Sequence, residues 1–272
     1  MIRRLLLAFQ FLTVVPVRIK GDVTEKDVAG SIVFFPLVGA FQGFLTAMVA
    51  FFMMKIWPAD IAAGLAIVCL ILSNNGFDLD GLADTFDGLA IKSSGHLAKD
   101  REKRLEVMKD SATGAMGVIA LIVIILLKFI LMRRLLSDFS VLTASALFFL
   151  MPAFSKWITV PAMLHGKSAR RDGLGKAFVE HTGAAGAAVS TLMLSLLFFP
   201  VALFGLISPS PLNGLELAVF LLLAAYLFSL LAVRFLKRRF GGLTGDHFGA
   251  LTEVFEVIFL LAAYGWLRRF VQ

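Results

Sequence analysis

The run Asp78-Leu79-Asp80-Gly81-Leu82-Ala83-Asp84-Thr85-Phe86-Asp87-Gly88 puts four carboxylates at the foot of an apolar stretch. On a helix turning about 100° per residue, Asp80, Asp84 and Asp87 fall within an arc of roughly 60°, and Asp78 points to the opposite side. Two such carboxylates about 6 Å apart repel by roughly 3 kcal/mol at an effective dielectric of ~20. A hard divalent cation removes that cost, and an oxygen-only donor set favours Mg²⁺, Mn²⁺ or Ca²⁺ over zinc. A plain acidic helix start is the simpler use of these residues, because Asp favours first turns and caps. Gly76, Gly81 and Gly88 weigh against it, since glycine is poor in helices but lets a bulky ligand approach. The spacing reads as a metal site for substrate phosphates, with a transported cation as the competing use.

Three further groups could act with it. Arg101 and Arg104, at i and i+3, can clamp phosphate oxygens, with Lys109 and Asp110 following. Arg170-Arg171-Asp172-Gly173 is a basic, flexible turn suited to an anion. Both are equally explained as positively charged topogenic loops. Gly241-Gly242-Leu243-Thr244-Gly245-Asp246 is followed by Glu253 and Glu256 inside an apolar stretch. A charge at that depth costs about 3 kcal/mol on insertion scales, so a partner or a cavity is expected. Lys156 is the partner expected for a structural pair; a second acidic wall facing substrate, or a proton-handling carboxylate, is the alternative.

The elements that must carry these residues are membrane helices. The chain has 272 residues, of which 59% are hydrophobic and 27 are Phe, with a mean hydropathy of +0.88. That apolar content excludes an ordinary soluble domain and predicts an all-α, polytopic integral membrane protein forming a single domain over 1–272. Stretches able to span lie at 30–54, 61–75, 114–132, 139–163, 183–207, 212–233 and 249–267, about seven helices within a range of six to eight. The fourth carries Pro152, Ser155 and Lys156, which points it at protein or a cavity rather than lipid. Residues 1–27 read as an uncleaved amphipathic or re-entrant entry segment, and 76–113 as the main catalytic loop. The net charge is +7, but the cations cluster between the spans, which explains them without a nucleic-acid partner. The loops at 56–60 and 208–213 hold no Lys or Arg. The amino terminus and the acidic run are therefore expected in the cytoplasm, although Arg133-Arg134 and Arg268-Arg269 fall outside. Cys69 is the single cysteine, so no disulfide or thiolate metal site forms within the chain.

Phe77 through Gly88 resembles the signature of the cobalamin synthase (adenosylcobinamide-GDP ribazoletransferase) family. Phe11-Leu12-Thr13 with Pro16, Phe35-Pro36-Leu37-Val38-Gly39, Arg104 through Ser111 with Gly114, and Gly241 through Asp246 with Gly249, Glu253 and Glu256 resemble its other blocks in the same order. The resemblance implies a Mg²⁺-dependent phosphotransferase of the bacterial inner membrane, with its site facing the cytoplasm and Mn²⁺ as a substitute metal. It implies that adenosylcobinamide-GDP is joined to α-ribazole or its 5′-phosphate with release of GMP, and that other cobalamin-assembly enzymes are candidate partners at the basic loops. The family pattern carries His at the position of Asp78, which makes Asp78 the weakest of the expected metal ligands.

On this reading Asp80, Asp84 and Asp87 hold metal against the diphosphate, with Asp84 central to catalysis. Arg101, Arg104, Lys109, Arg170 and Arg171 receive substrate phosphates, Glu253 and Glu256 are counted among the substrate contacts, and Asp110 or Asp246 orients the nucleophile or completes the metal shell. Phosphoryl transfer needs mainly positioning and neutralisation of developing charge. A CDP-alcohol phosphotransferase is the rival enzyme: Asp84-Thr85-Phe86-Asp87-Gly88 opens its Asp-x-x-Asp-Gly pattern, but the continuation is missing. A membrane cation or substrate transporter is the rival of another class, and the lack of an internal repeat counts against it.

Overall fold

The computed structural model of the protein describes residues 1–207 and 210–270. The loop expected at 208–213 therefore begins outside the described residues. Among those described, the regular structure is helical, and an isolated bridge pairs Ser168 with Leu243.

Helix α1 (Ile2–Leu12) is amphipathic and buries Leu7 and Ala8, the latter against Ile32, Phe34 and Phe35. Helix α2 (Glu25–Gly30) starts at a capping box, in which Asp27 N–H donates to Thr24 Oγ1 at 3.2 Å and Thr24 N–H donates back to Asp27 Oδ2 at 3.4 Å. A 3₁₀ turn at Ser31–Phe34 joins it to α3 (Phe35–Met53). The first span thus runs from 25 to 53, starting earlier than hydropathy indicates because the capped polar turn continues the helix.

Helices α4 (Ala59–Ser73) and α5 (Phe77–Ala90) meet at a bend of 86°. Asn75 (φ 55) and Gly76 (φ 71) make the corner by taking consecutive left-handed conformations. After α6 (Leu97–Val107) and α7 (Ala115–Asp138) come α8 (Val141–Trp157), capped by Ser140, and the short α9 (Thr159–His165). Helices α10 (Leu174–His181), α11 (Ala184–Leu203), α12 (Pro211–Phe240) and α13 (Gly245–Phe270) complete the chain. Among the described residues six helical segments are long and apolar enough to cross a membrane, and a bent α4–α5 unit makes a seventh. This matches a polytopic membrane protein.

Helix α8 is the most enclosed of the spans, with α3 and α13 mostly buried too. Helices α7, α11 and α12 turn large apolar side chains outward, among them Ile122, Leu196 and Leu223, as lipid-facing helices do. The expectation that Pro152, Ser155 and Lys156 face protein holds, since all three are buried.

The segment expected as a long loop, 76–113, is mostly helix. Only 76, 91–96 and 108–113 lie outside α5 and α6. Helix α5 is packed into the bundle against α13 and α7, because a glycine on each of α5 and α13 lets the backbones nearly touch. A Cβ on Gly81 would sit 2.5 Å from the Asp246 carbonyl oxygen, and one on Gly249 would sit 2.8 Å from that of Asp78. The polar segments following α5, α9 and α12 converge at one end of the bundle. Leu243 N–H donates to Lys167 O at 2.8 Å, and Ala169 N–H donates to Leu243 O at 2.9 Å.

Candidate active site

The α5–α13 crossing sets Asp80 and Asp84 beside Asp246 at the start of α13. Asp80 is exposed, and Asp84 and Asp246 are half-buried. Asp84 has Asp80, Asp246 and Asp87 as like-charged neighbours and Arg170 as an opposing charge. Arg170 donates to Asp246 Oδ2 at 3.1 Å, and the Thr244 hydroxyl donates to the same oxygen at 3.3 Å. Three carboxyl groups against one guanidinium leave an acidic excess, which favours a cation.

The two other acids of the run face elsewhere. Asp87 is buried and caps α7: it accepts from Gly114 N–H at 2.7 Å and Gly117 N–H at 2.8 Å, where a carboxylate also complements the positive end of the helix. Asp78 is buried in an ion pair with Lys156 and accepts from the Asn74 amide. The structure does not bring together the face expected from Asp80, Asp84 and Asp87, with Asp78 as a marginal member; it sets Asp80 and Asp84 beside Asp246 instead. Local helical spacing put Asp87 on that face, but the amino terminus of α7 takes up both its oxygens. Among the described residues no three His, Cys, Asp or Glu side chains converge on a metal position. Mg²⁺ commonly binds through one or two carboxylates and completes its shell with water and substrate phosphates. An oxygen-only, net-negative cluster fits that mode, and a dedicated protein cage is not required.

Arg170 also lines a groove of about 480 Å³, together with Lys109 and Arg171 and the acids Glu102, Glu106 and Asp172. The two basic segments singled out in the sequence therefore form one surface adjoining the acids. Arg101 and Arg104 do not join it as a clamp. Arg101 donates to Arg238 O at 3.2 Å, and Arg104 to Arg239 O at 2.9 Å and Ile91 O at 3.3 Å. They satisfy the free carbonyls at the carboxyl end of α12, where cations are favoured. Nearby, hydrogen bonds from Ser93 and Ser94 hold Asp100 down to about 2. Asp110 is exposed and accepts from Ala112 N–H at 3.1 Å, shaping the turn before α7.

Glu253 and Glu256 lie inside the bundle. Their partner is Lys128 of α7, not Lys156: Lys128 donates to Glu253 Oε2 at 2.6 Å and pairs with Glu256 as well. Ser155 donates to Glu256 Oε1 at 3.1 Å. Lys156 is taken by Asp78, so the expected Lys–Glu pair exists with a different lysine. Lys128 carried a visible signal, a lone cation within an apolar span, whose cost demands a partner. On the far side of the acidic cluster, Asp80 lines a larger cleft of about 1060 Å³.

The family described as cobalamin-5-phosphate synthase matches residues 4–264. A relative from Thermodesulfovibrio yellowstonii is 34% identical over 263 residues, covering 96% of this chain and 95% of the relative. One from Geotalea daltonii is 34% identical over 261 residues, covering 96% of each. One from Clostridium acetobutylicum is 28% identical over 266 residues, covering 97% of each. All three carry the name adenosylcobinamide-GDP ribazoletransferase. No solved structure matches the chain. The match over nearly the whole length, in a helical membrane architecture, establishes that the chain belongs to the cobalamin-5-phosphate synthase family.

Proposed function

We propose that the protein is a Mg²⁺-dependent phosphotransferase that joins adenosylcobinamide-GDP to α-ribazole or its 5′-phosphate and releases GMP, at the cytoplasmic face of the bacterial inner membrane. The observation that carries this reading is the junction at Arg170, which links the acidic cluster of Asp80, Asp84 and Asp246 to the groove of mixed charge where Lys109 and Arg171 lie. A diphosphate laid across that junction has one phosphorus at the acids and its departing nucleotide phosphate at the cations. Mg²⁺, when bound, supplies neutralisation of charge on the diphosphate. Asp80 and Asp84 would hold it, while Asp246, kept in place by Arg170 and Thr244, stands where it can orient the attacking hydroxyl. Lys109 and Arg171 receive the leaving phosphate, and Arg170 answers charge that develops between the two halves. Arg101 and Arg104 act at one remove, by fixing α6 against α12 and so setting the groove wall.

The test is GMP release by membranes containing the protein, given adenosylcobinamide-GDP, α-ribazole and Mg²⁺, with the joined product identified by mass. Asp84→Asn is expected to lower turnover by at least about 10²-fold, with membrane insertion and yield unchanged. Ordinary turnover in that variant would remove Asp84 from the metal-holding group. Chelation should abolish GMP release, Mg²⁺ should restore it, and Mn²⁺ should do so in part.

A further inference from the structure

We infer that the cleft beside Asp80 is the seat of the corrinoid half of the substrate, entered at membrane depth and walled on its outer side by the amino-terminal segment. This rests on the proposed function and adds the place where its largest reactant binds. The volume, about 1060 Å³, lies at the top of the range of roughly 300–1,000 Å³ for small-molecule pockets. The ligand it suits is larger than a nucleoside.

The walls fit an amphipathic macrocycle. One is α7, through Leu121 and Ile125. These lie six and ten residues past Ala115, the first residue of α7, or roughly 9 and 15 Å along the helix. The cleft therefore runs from the acidic cluster down to a depth where the neighbouring side chain Ile122 is lipid-facing. A second wall is the α4–α5 corner. Helix α4 has 15 residues and is about 22 Å long, short of a hydrocarbon layer of about 30 Å. The corner at Asn74, Asn75 and Gly76 thus breaks the helix within the layer. Irregular polar backbone at that depth is tolerated only where protein buries it or where it lines a cavity, and these residues line this cleft.

The outer wall is the end of α1 and the chain that follows it, through Phe11 and Val14. It is pinned, not loose. Val14 N–H donates to Ser73 O at 2.9 Å, and the Gln42 amide donates to Leu12 O at 3.1 Å and Ser73 Oγ at 3.0 Å. A corrinoid offers a broad apolar ring fringed with amides. That pattern meets an apolar bed of Leu121, Ile125 and Phe11 with the Asn74–Asn75 amides at its edge. With the ring there, an arm ending in a diphosphate reaches Asp80 directly, and the nucleotide continues into the Arg170 groove.

Two arms test this. In the first, Leu121→Trp fills the cleft and Ile122→Trp, one position round α7, points to lipid. Leu121→Trp should raise KM for adenosylcobinamide-GDP about tenfold or more and leave KM for α-ribazole unchanged, while Ile122→Trp alters neither. The second arm does not depend on turnover. In a Cys69→Ser chain, Val14→Cys in the cleft and Val23→Cys outside it are labelled with a maleimide in lipid nanodiscs. Adenosylcobinamide lacking GDP should slow labelling at Val14→Cys about tenfold and leave Val23→Cys unaffected. Equal labelling with and without the corrinoid, as in a cleft occupied by lipid alone, overturns the inference even if the wild-type protein releases GMP. Protection without GMP release would sustain the corrinoid seat and overturn the proposed transfer reaction.

Discussion

Lys128 holds two carboxylates inside the bundle, and its replacement separates a structural role for Glu253 and Glu256 from a role at the substrate. Lys156 is already balanced by Asp78, so Lys128→Met leaves two buried acids with no cation. Removing one partner from a buried ion pair costs about 3–5 kcal/mol, chiefly by stranding the other charge. Replacing the whole set with neutral groups of similar shape is often close to neutral. Lys128→Met should therefore lower the thermal unfolding midpoint sharply and reduce turnover through loss of folded protein. The triple variant Lys128→Met, Glu253→Gln, Glu256→Gln should recover most of both. The sequence reading placed Glu253 and Glu256 among substrate contacts. A triple variant that unfolds normally but releases no GMP would return them to that role.

Helix α5 carries Asp80 and Asp84, the acids proposed to hold the metal, and its position depends on how closely it crosses α13. Gly81→Val puts a Cβ where the Asp246 carbonyl oxygen is 2.5 Å away, so the helices must part. The expected cost is about 1–3 kcal/mol of stability, and about 10²-fold in turnover from an ~1 Å shift of the reacting groups. Gly64→Ala in α4 is the control, because a Cβ there meets nothing closer than a Phe129 ring atom at 4.0 Å. It should leave turnover unchanged and raise stability by up to about 1 kcal/mol. The same crossing explains what could be read from the sequence. Asp80 and Asp84 share a face by local period alone, so their pairing was legible. The replacement of Asp87 by Asp246 was not, because it needs the amino terminus of α7 and a helix contact spanning more than 150 residues of chain. Arg101 and Arg104 look like phosphate ligands, since a cation spaced for a carbonyl terminus resembles one spaced for a phosphate. The α4–α5 corner was hidden because hydropathy records how apolar a segment is, not the φ of Asn75 and Gly76.

At the scale of the molecule, the packing gathers the basic segments into one end of the bundle. The cations of α6, of the turn after α9 and of the end of α12 share the end that holds the acidic cluster, where Arg170 meets Asp246 and Arg101 and Arg104 meet the last carbonyls of α12. Arg133, Arg134, Arg268 and Arg269 lie at the other end, where Tyr264 donates to Asp138 at 2.6 Å and Arg134 approaches the same carboxylate at 3.9 Å. The imbalance of Lys and Arg predicts that the site-bearing end faces the cytoplasm, on the side where a nucleotide-activated substrate is available. The single native cysteine makes this measurable. In a Cys69→Ala chain, Trp57→Cys in the turn between α3 and α4 and Lys103→Cys on α6 mark the two ends, both at exposed positions. A membrane-impermeant maleimide added to intact cells should label Trp57→Cys, and should reach Lys103→Cys only after permeabilisation. The reverse pattern would overturn the cytoplasmic placement without touching the chemistry of Asp80, Asp84 and Asp246, because the geometry of that cluster is set by the α5–α13 crossing and not by which side of the membrane it faces.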